Sequence, residues 1–557
     1  MRLQRLRFAY VGLSWLMLSD AVIADDLPGY GSLSGVVTAP EDFVAAQVHA
    51  RHTQKHILYA VYTSGQAYRA VNMFPGTYEV TVQKKGFSSQ PQQVEIRENV
   101  ESTLDFSLSI KKEGITYTGS RTLEADLVVG SYDEVYVADD GRDLVEKWCV
   151  VCHGVNFLPR LPQSEEGWEA ALDFMLMPGA FGVENGASMM PPDALGPGER
   201  GRVVAYLSKY FGEEAPMKAV TVNAQYPLDE EALGKAQFIE YLFPNTAEMP
   251  NRWTQEAYFD ADGNVWMTER GVPSAITRLD PRTGIYQDYM NPDPKWSPHG
   301  IVVDDDGYVW WAGRSLHLAR LDPKSGDMRA WHSQSPGWHG HTPSLDSKGN
   351  VWFSMLTGNR IGKWDKITDK LTIWESPSPN GRPYGFFVSD DDKIWYAEFH
   401  ACNVVMFDPE TEEFTIYESL SKPCTIRRLG IDSKGIIWYG VFSAGVLGRI
   451  DPKTGEVTER KIPAVISEPY DVWADPDDNM WISDGGQGGV LIRFNTHNEK
   501  FTFFPSPRRT DFPKITITRD GAIWYAPRMV AMTRGGPAGA GVLYPDKDSI
   551  KTLGAYK

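Results

Sequence analysis

The sequence of 557 residues predicts a mainly β protein, made of a seven-bladed β-propeller, a small α-helical domain and an N-terminal β-sandwich. Three observations predict this fold class. A tryptophan-containing segment recurs seven times in the C-terminal part, residues 141–213 show helical periodicity, and residues 29–110 alternate between apolar and polar positions. A chain of this length is expected to hold several domains, each with its own core.

The composition excludes several classes of protein. A formal net charge of -18 argues against a nucleic-acid partner, because such a partner requires a basic face. Hydrophobic residues at 42% and charged residues at 23% are ordinary for globular domains, so neither a disordered chain nor a multispanning membrane protein fits. Four cysteines in so long a chain cannot form a disulfide framework, so their roles have to be inferred from their spacing.

The N-terminus has the pattern of a secretory signal peptide over residues 1–24. Arg2, Arg5 and Arg7 precede an apolar run that ends at Leu18, and small residues lead to Ala24, where cleavage is expected. The alternative is an uncleaved anchor. The mature chain is predicted to be exported to the periplasm, without a transmembrane span.

Residues 29–110 predict short antiparallel strands separated by turns such as Pro75-Gly76, which is typical of a small sandwich. The run from Phe74 to Val82, followed by Lys85-Gly86-Phe87, resembles the carboxypeptidase regulatory-like domain family. That resemblance implies a scaffold or docking module without catalysis. Residues 111–140 are predicted to be a linker.

The strongest local motif is Cys149-Val-Val-Cys152-His153, at the end of an amphipathic segment. In a C-x-x-C-H motif two thiols form thioethers to the haem vinyl groups, and the histidine is the proximal iron ligand. A redox dithiol more often follows a strand, and a zinc knuckle needs a second ligand pair that the motif lacks. Residues 141–213 are therefore predicted to carry one covalent haem c.

The second axial ligand is expected from beyond the helical pattern that ends at Met175, and the candidates are Met175, Met177, Met189 and Met190. Met190 and Pro191 precede a predicted helix at 199–210 that carries a Tyr-Leu pair, and this arrangement resembles the c-type cytochrome family. The resemblance implies Met190 as the distal ligand, with Met189 as second choice. Ligation by His153 and Met190 suits an electron carrier and leaves no iron position for substrate.

The repeat of the C-terminal part is an aspartate-rich turn, an aliphatic residue and then tryptophan. Its tryptophans are Trp266, Trp310, Trp352, Trp395, Trp438, Trp481 and Trp524, and they lie 44, 42, 43, 43, 43 and 43 residues apart. Seven copies of this period predict a seven-bladed propeller over residues 237–557. Either Phe238–Phe243 or Ile550–Leu553 could close the ring as an outer strand.

Pro298-His299-Gly300 and Arg382-Pro-Tyr384-Gly385, which lead into inner strands, make these repeats resemble the virginiamycin B lyase family, also called streptogramin lyases. The resemblance implies ester opening by elimination in a cyclic depsipeptide antibiotic, with a histidine and with glutamates that hold magnesium. The chain departs from this pattern. The His299 blade has Arg314 where a glutamate is expected, and the Glu468 blade has Tyr470 in place of the histidine.

Loops entering the inner strands and loops leaving the tryptophan strands emerge on one face of a propeller, so their residues are expected to converge. These residues are Glu269, Arg270, His299, Arg314, His339, His341, Tyr384, Glu398, His400, Tyr470, Asp484 and Arg528. The predicted catalytic residues among them are His299, Glu398, His400, Tyr384, Asp484 and Glu269. His339 and His341 are the candidates for a divalent or transition metal, because imidazole is a common ligand for such ions.

Cys402 and Cys424 fall on the same face in neighbouring blades. In an oxidising compartment a disulfide is expected there, and two buried thiols are the alternative.

These patterns together predict an exported haem-c redox protein that transfers electrons between the haem and a substrate or partner on the propeller face. A redox partner protein or a dehydrogenase is expected, and a small-molecule substrate is possible. One alternative is a lyase on the propeller, with a divalent ion near Glu398 or Asp484 and an accessory haem domain. Another is a binding module without catalysis.

Overall fold

A computed structural model describes most of the chain. The described residues are 26–84, 86–110, 126–127, 132–150, 158–160, 162–177, 190, 194–216, 219–220, 226–313, 315–332, 338–422, 424–464, 467–484, 489–508, 513–527 and 537–557. The predicted signal peptide lies outside them. So do Cys152, His153, Met189, Arg314 and Arg528.

The N-terminal module, here called the sandwich, consists of short β-strands that belong to three sheets. Its strands are β1 Gly31–Thr38, β2 Gln47–His52, β3 Ile57–Tyr62, β4 Ala67–Met73, β5 Gly76–Gln83, β6 Phe87–Ser88, β7 Gln92–Ile96, β8 Glu101–Thr103, β9 Phe106–Ser107 and β10 Ser109–Ile110. Strand β1 pairs with β4, β8 and β9, whereas β2 lies between β3 and β5, and β5 pairs with β7.

The helical segment comprises residues 132–211. Its elements are α1 Tyr132–Val135, α2 Arg142–Val145, a π-helical turn Glu146–Val150, a 3₁₀ turn Leu158–Arg160, α3 Glu165–Leu176 and α4 Glu199–Phe211. Ser164 caps α3 by accepting a 3.1 Å hydrogen bond from Gly167 N–H. The Trp168 indole N–H donates to the Phe211 carbonyl oxygen at 3.1 Å and so joins α3 to α4. The helix predicted at 199–210 is therefore present.

The end of the predicted linker belongs to the helical segment, because Val135 and Tyr136 are buried in its core. Two short strands, β11 Asp126–Leu127 and β12 Ala219–Val220, pair in parallel before and after the segment. A further helix, α5 Glu230–Lys235, leads into β13 Gln237–Phe243. Among the described residues, no helix is long and apolar enough to cross a bilayer.

Six separate four-stranded antiparallel sheets follow in chain order, formed by described residues and numbered here as blades 1 to 6. Blade 1 has β14 Thr254–Phe259, β15 Val265–Glu269, β16 Ala275–Asp280 and β17 Ile285–Met290. Blade 2 has β18 Pro298–Val303, β19 Val309–Gly313, β20 Leu316–Leu321 and β21 Met328–His332, and blade 3 has β22 Pro343–Leu345, β23 Val351–Met355, β24 Arg360–Trp364 and β25 Leu371–Glu375.

The next three blades repeat this order. Blade 4 has β26 Pro383–Val388, β27 Ile394–Glu398, β28 Asn403–Asp408 and β29 Glu413–Glu418. Blade 5 has β30 Ile426–Ile431, β31 Ile437–Val441, β32 Val446–Asp451 and β33 Glu456–Lys461, and blade 6 has β34 Pro469–Ala474, β35 Asn479–Asp484, β36 Val490–Asn495 and β37 Phe501–Pro505. First strands of neighbouring blades contact one another, which places them around a common axis.

In five blades the aspartate of the repeat anchors the tryptophan of the same repeat. In blade 2, Asp304 Oδ2 accepts the Trp310 indole N–H at 2.7 Å, and Oδ1 accepts the backbone N–H of Asp306 and Tyr308. The same aspartate–tryptophan bond occurs in blades 1, 3, 5 and 6, at Asp260, Asp346, Asp432 and Asp475. One side chain thus fixes both the turn and the core tryptophan, which explains why the two residues recur together.

We expect Asp304→Ala to lower the free energy of unfolding by about 1–3 kcal/mol, because the buried Trp310 N–H loses its acceptor and the turn loses two hydrogen bonds. Denaturant unfolding of the full chain measures this. The neighbouring Asp305 is exposed, and Asp305→Ala is the matched control with a change of at most about 0.5 kcal/mol. Equal effects of the two variants would contradict the anchoring role.

The seventh blade is assembled from both ends of the propeller sequence. Its strands are β38 Ile515–Ile517, β39 Ile523–Tyr525, β40 Ala538–Tyr544 and, as the outer strand, β13. Strand β13 pairs antiparallel with β40 over seven residues, from Gln237 opposite Tyr544 to Phe243 opposite Ala538. Of the two predicted closing segments, Phe238–Phe243 is therefore the correct one, and residues 550–553 form no strand.

The sandwich continues the sheet of blade 7. Strand β3 pairs antiparallel with the other edge of β13, from Val61 opposite Gln237 to Ile57 opposite Tyr241, so that eight strands form one sheet. The buried Gln237 side chain reaches β4 as well: its amide donates to the Val71 carbonyl oxygen at 2.9 Å and accepts the Val71 N–H at 2.8 Å. Sandwich and propeller are thus joined by main-chain pairing and by a buried amide.

Candidate functional site: the axial face of the propeller

Residues at the entry of the inner strands form a layer of side chains around the axis, here called the axial layer. Its described polar and aromatic members lie five residues before the turn of each blade: Gln255, His299, His341, Tyr384, Arg427 and Tyr470. All six are buried, with at most 7% exposure. The ring centroids of His299 and His341 lie 3.8 Å apart, those of His341 and Tyr384 lie 4.1 Å apart, and the hydroxyls of Tyr384 and Tyr470 share a hydrogen bond. The structure therefore brings four predicted face residues together.

Arg427 is an axial residue that the sequence prediction missed. Its guanidinium carbon lies 3.8 Å from the ring centroid of Phe442 and 4.4 Å from that of Tyr470, which are cation–π distances. It occupies the same register in blade 5 as His299 in blade 2, five residues before the turn aspartate Asp432. That register is the sequence signal that could have found it.

A second layer of charged side chains lies one residue further along the inner strands. Glu256 in blade 1 accepts a 2.9 Å hydrogen bond from Arg428 in blade 5 and another from Lys514 at the start of blade 7. Burial raises the pKa of the nearby Asp471 to about 6, and the positive charges of Arg428 and Lys514 oppose this shift. These four buried residues, here called the axial ion network, link blades 1, 5, 6 and 7 beneath the axial layer.

The predicted catalytic carboxylates Glu269, Glu398 and Asp484 end the second strands of blades 1, 4 and 6, and loop groups engage them. Glu269 accepts hydrogen bonds from Arg252 at 3.1 Å and from Trp253 N–H at 2.7 Å. Glu398 accepts hydrogen bonds from Ser376 and Asn403, and Asp484 accepts one from the hydroxyl of Tyr226. All three carboxylates are almost fully buried, and their hydrogen bonds hold the neighbouring loops. Their catalytic role stays a prediction.

The four predicted face histidines occupy different surroundings. His299 and His341 belong to the axial layer, where Gln255 Nε2 lies 3.4 Å from His299 Nε2. His339 instead neighbours His317, whose pKa falls to about 4 because of burial and, to a smaller extent, the charge of His339. Within the described ranges, no group of three or more His, Cys, Asp or Glu side chains is arranged to hold a metal ion. The metal predicted at His339 and His341 stays a prediction.

His400 lies where the helical segment meets the propeller. The ring centroids of His400 and Trp148 are 5.8 Å apart, and the Lys147 amine lies 4.7 Å from the Trp148 ring. Burial and, to a smaller extent, the positive charges of Arg382 and Lys147 lower the pKa of His400 to about 3, so that the imidazole is neutral at physiological pH. The residue before Cys149 thus touches the propeller face.

Two described members of the predicted haem set lie in this segment. Cys149 is half-buried against the helical core, in the π-helical turn that ends at Val150. Met190 is 3% exposed, and its N–H donates to the Met175 carbonyl oxygen at 3.2 Å. A half-buried thiol and a buried thioether fit the donor chemistry of a haem c. Cys152 and His153, which complete the motif, lie outside the described residues.

A line of neighbouring rings runs from the helical segment to the axis. Successive ring centroids are 5.8 Å apart for Trp148 and His400, 5.3 Å for His400 and Phe399, and 5.1 Å for Phe399 and Tyr384. Tyr384 then contacts His341 in the axial layer. This ring series therefore connects the segment that carries Cys149 with the centre of the propeller.

Cys402 and Cys424 are joined in a disulfide, as predicted. Their Cα atoms lie 5.7 Å apart, within the range that a disulfide spans. The bond ties the loop that follows Glu398 and His400 to the entry of blade 5.

Seven four-stranded blades around one axis, with an axial layer at the entry of their first strands, define a β-propeller; six are separate sheets and the seventh belongs to the eight-stranded sheet. The model of the Virginiamycin B lyase family matches residues 254–492, from the first strand of blade 1 to the third strand of blade 6. This region of the chain is therefore a virginiamycin B lyase-like propeller.

The solved structures similar to this chain include two lyases. A streptogramin B lyase is 19% identical, with 56% of this chain and 97% of that chain covered and a TM-score of 0.49. The virginiamycin B lyase from Staphylococcus aureus is also 19% identical, with 55% and 99% covered and a TM-score of 0.49. Among curated proteins, none matches the chain.

Proposed function

We propose that this protein is an exported haem-c redox protein that passes electrons between a haem on the helical segment and a substrate or partner on the axial face. The contact between Trp148 and His400 is the observation that supports this function. Because Cys149 follows Trp148 directly, a haem attached there would lie next to the propeller face. A cofactor enzyme depends on such positioning of its cofactor against the substrate.

The residues that would hold the haem are Cys149 and Cys152 as thioether anchors and His153 and Met190 as axial ligands. A haem ligated in this way supplies one-electron exchange between ferric and ferrous iron. The protein contributes the surroundings: His400 stays neutral, and Lys147 and Arg382 place positive charge beside it. A positive rim of this kind favours an anionic partner surface or an electron-rich ligand.

Two further parts of the proposal concern partners. The sandwich, through its resemblance to the carboxypeptidase regulatory-like family, is proposed as a docking module rather than a catalytic one. The exported haem domain is proposed to exchange electrons with a redox partner protein or a dehydrogenase in the periplasm.

A lyase on the propeller is the second candidate, and the match to the Virginiamycin B lyase family supports it. In this alternative His299 is the base and the haem domain is accessory. The hydrogen bonds that already engage Glu398 and Asp484 weigh against a magnesium ion held by these carboxylates. A binding module without catalysis is the third candidate function for the axial face.

The haem proposal is tested by replacing the motif cysteines. We expect the variant Cys149→Ser with Cys152→Ser to lose all covalent haem, because the two thioethers are the only proposed anchors. Haem staining of the denatured protein and its visible spectrum measure this. The matched control replaces the other cysteine pair, Cys402→Ser with Cys424→Ser, and should keep its haem.

Two results would count against the proposed function. The first is a wild-type protein, produced with a haem-attachment system, that carries no covalent haem. The second is ester cleavage that is abolished by His299→Ala and unchanged in the Cys149→Ser and Cys152→Ser variant, which would favour the lyase.

A further inference from the structure

The loop that follows β27 in blade 4 carries both His400 and Cys402, and its backbone is strained at Cys402. Cys402 has a φ of 61°, in the left-handed region that residues with a β-carbon rarely adopt. The same position, directly before the third strand, holds Asn359 in blade 3, Gly445 in blade 5 and Gly489 in blade 6, with φ values of 51°, 61° and 60°. Asparagine and glycine adopt this conformation more easily than cysteine does. Blade 4 thus has a less suitable residue at this position, and that residue forms the disulfide.

The disulfide joins this loop to the entry of blade 5. Cys424 lies three residues before Arg427, whose guanidinium carbon is 5.6 Å from the ring centroid of Phe399, the neighbour of His400. Strained backbone persists only where the surrounding structure holds it. Cleavage of the bond would let Cys402 leave the left-handed region, and His400 would shift with the loop.

His400 is the residue of this loop that contacts the helical segment. Its ring lies against Phe399, with centroids 5.3 Å apart and planes at 27°, and its centroid is 5.8 Å from that of Trp148. Its backbone N–H donates to the Gly381 carbonyl oxygen at 3.0 Å. A ring pair contributes only modestly to stability, so the contact with Trp148 persists only while the loop keeps the imidazole in place.

The helical segment has a second attachment, which does not involve this loop. Tyr226, which follows the segment, donates its hydroxyl hydrogen to Asp484 Oδ2 at 2.8 Å and stacks on Phe503 with ring centroids 4.6 Å apart. The apolar core of the segment also continues into blades 5 and 6. Loss of the contact between Trp148 and His400 would therefore free one turn without detaching the whole segment.

We propose that the Cys402–Cys424 disulfide is a redox-sensitive latch on the helical segment. When the bond is intact, it holds His400 against Trp148 and keeps the π-helical turn Glu146–Val150 on the propeller face. When the bond is reduced, the turn leaves this face while the segment stays attached at blades 5 and 6.

The reductant is a dithiol. One of its sulfurs attacks the half-buried Cys424 sulfur, because Cys402 is only 4% exposed. The S–S bond breaks, and the second sulfur of the reductant then resolves the mixed disulfide. The dithiol thereby gives up two electrons and two protons and becomes a disulfide, and Cys402 and Cys424 end as two thiols.

Hydrogen exchange of the full chain, followed by mass spectrometry of its peptides, tests the latch with dithiothreitol as the dithiol. Alkylation of the freed thiols measures whether the bond is reduced in the folded protein. We expect amides of residues 142–148 to exchange at least about tenfold faster after reduction, because local opening sets their exchange rate, whereas residues 265–269 in blade 1 stay unchanged. Equal exchange of residues 142–148 before and after reduction would overturn the proposal, and so would a bond that dithiothreitol does not reduce in the folded protein.

Variants locate the effect. In Cys402→Ser with Cys424→Ser, residues 142–148 should exchange fast with and without dithiothreitol, and a response to the reductant in this variant would assign the effect to other cysteines and exclude the latch. His400→Ala should exchange fast although its disulfide is intact, whereas the matched variant His400→Phe keeps a ring beside Trp148 and should stay as protected as the wild type. If the double serine variant does not fold, the His400 variants decide, since slow exchange in His400→Ala would show that this contact does not hold the turn.

The readout separates this inference from the proposed function. The consequence for electron transfer rests on the proposed function, because release of the turn would carry a haem at Cys149 away from the axial face. Hydrogen exchange needs no haem, so a haem-free protein whose turn is released on reduction would contradict only the redox function. A haem-bearing protein whose turn stays protected after reduction would contradict only the latch.

Discussion

Glu256→Gln should lower the free energy of unfolding by about 3–5 kcal/mol, because removing one member of a buried ion pair leaves its partners uncompensated. Glu256 is fully buried and is the carboxylate that both Arg428 and Lys514 contact. Glutamine keeps the size and one carbonyl acceptor but removes the charge. The buried cations Arg428 and Lys514 then have Asp471 as their remaining carboxylate in this network. Burial disfavours the ionised form of Asp471 and raises its pKa to about 6.

Denaturant unfolding of the full chain, followed by tryptophan fluorescence, measures this loss. The matched control is Glu231→Gln on α5, where the carboxylate is 82% exposed and pairs with Lys235. A surface pair of this kind contributes at most about 1 kcal/mol. If Glu256→Gln unfolds at the same denaturant concentration as the control, the axial ion network does not stabilise the ring.

Gln237→Leu should lower the free energy of unfolding by roughly 3 kcal/mol, because it leaves both the N–H and the carbonyl oxygen of Val71 buried without the Gln237 amide. Each such unsatisfied group costs about 1–3 kcal/mol, and leucine restores only the apolar part of the packing. The effect is expected at the joint between sandwich and propeller, since Gln237 lies on β13 and Val71 on β4.

Limited proteolysis shows where this stability is lost. The variant should release a fragment that contains residues 26–110 at protease concentrations that leave the wild type intact. The control Gln93→Leu lies on the exposed side of β7 in the same sheet and should change stability by at most about 0.5 kcal/mol. Identical digestion of wild type and Gln237→Leu would show that the buried amide does not hold the joint.

Local repetition explains why the propeller could be predicted. The bond between Asp304 and Trp310, repeated in four other blades, ties each turn to its core tryptophan, so the sequence period reports the blade period directly. The expectation that loops entering the inner strands emerge on one face also predicted that His299, His341 and Tyr384 lie together, because inner strands begin at the same face in every blade.

What could not be predicted depends on contacts between distant parts of the chain. Trp148 and His400 are 252 residues apart, and the pairing of β3 with β13 joins two separate modules, so no local period records either contact. The axial ion network was missed for a related reason: a periodic pattern identifies inner strands but not which charged residues meet across the axis. The same rule placed Glu398 near the face without showing that Ser376 and Asn403 engage it.

The composite seventh blade has a consequence for the order in which the chain assembles. Strand β13 leaves the ribosome well before β40, its partner in the ring, because all of blades 1 to 6 lie between them. Strand β3 precedes β13, so the sandwich can occupy one edge of β13 while the other edge still waits for the C-terminus. Unpaired strand edges promote aggregation, and β13 exposes one such edge rather than two once it is paired with β3. The ring therefore closes only when β40, the last strand of the chain described here, pairs with the edge of β13 that the sandwich leaves open.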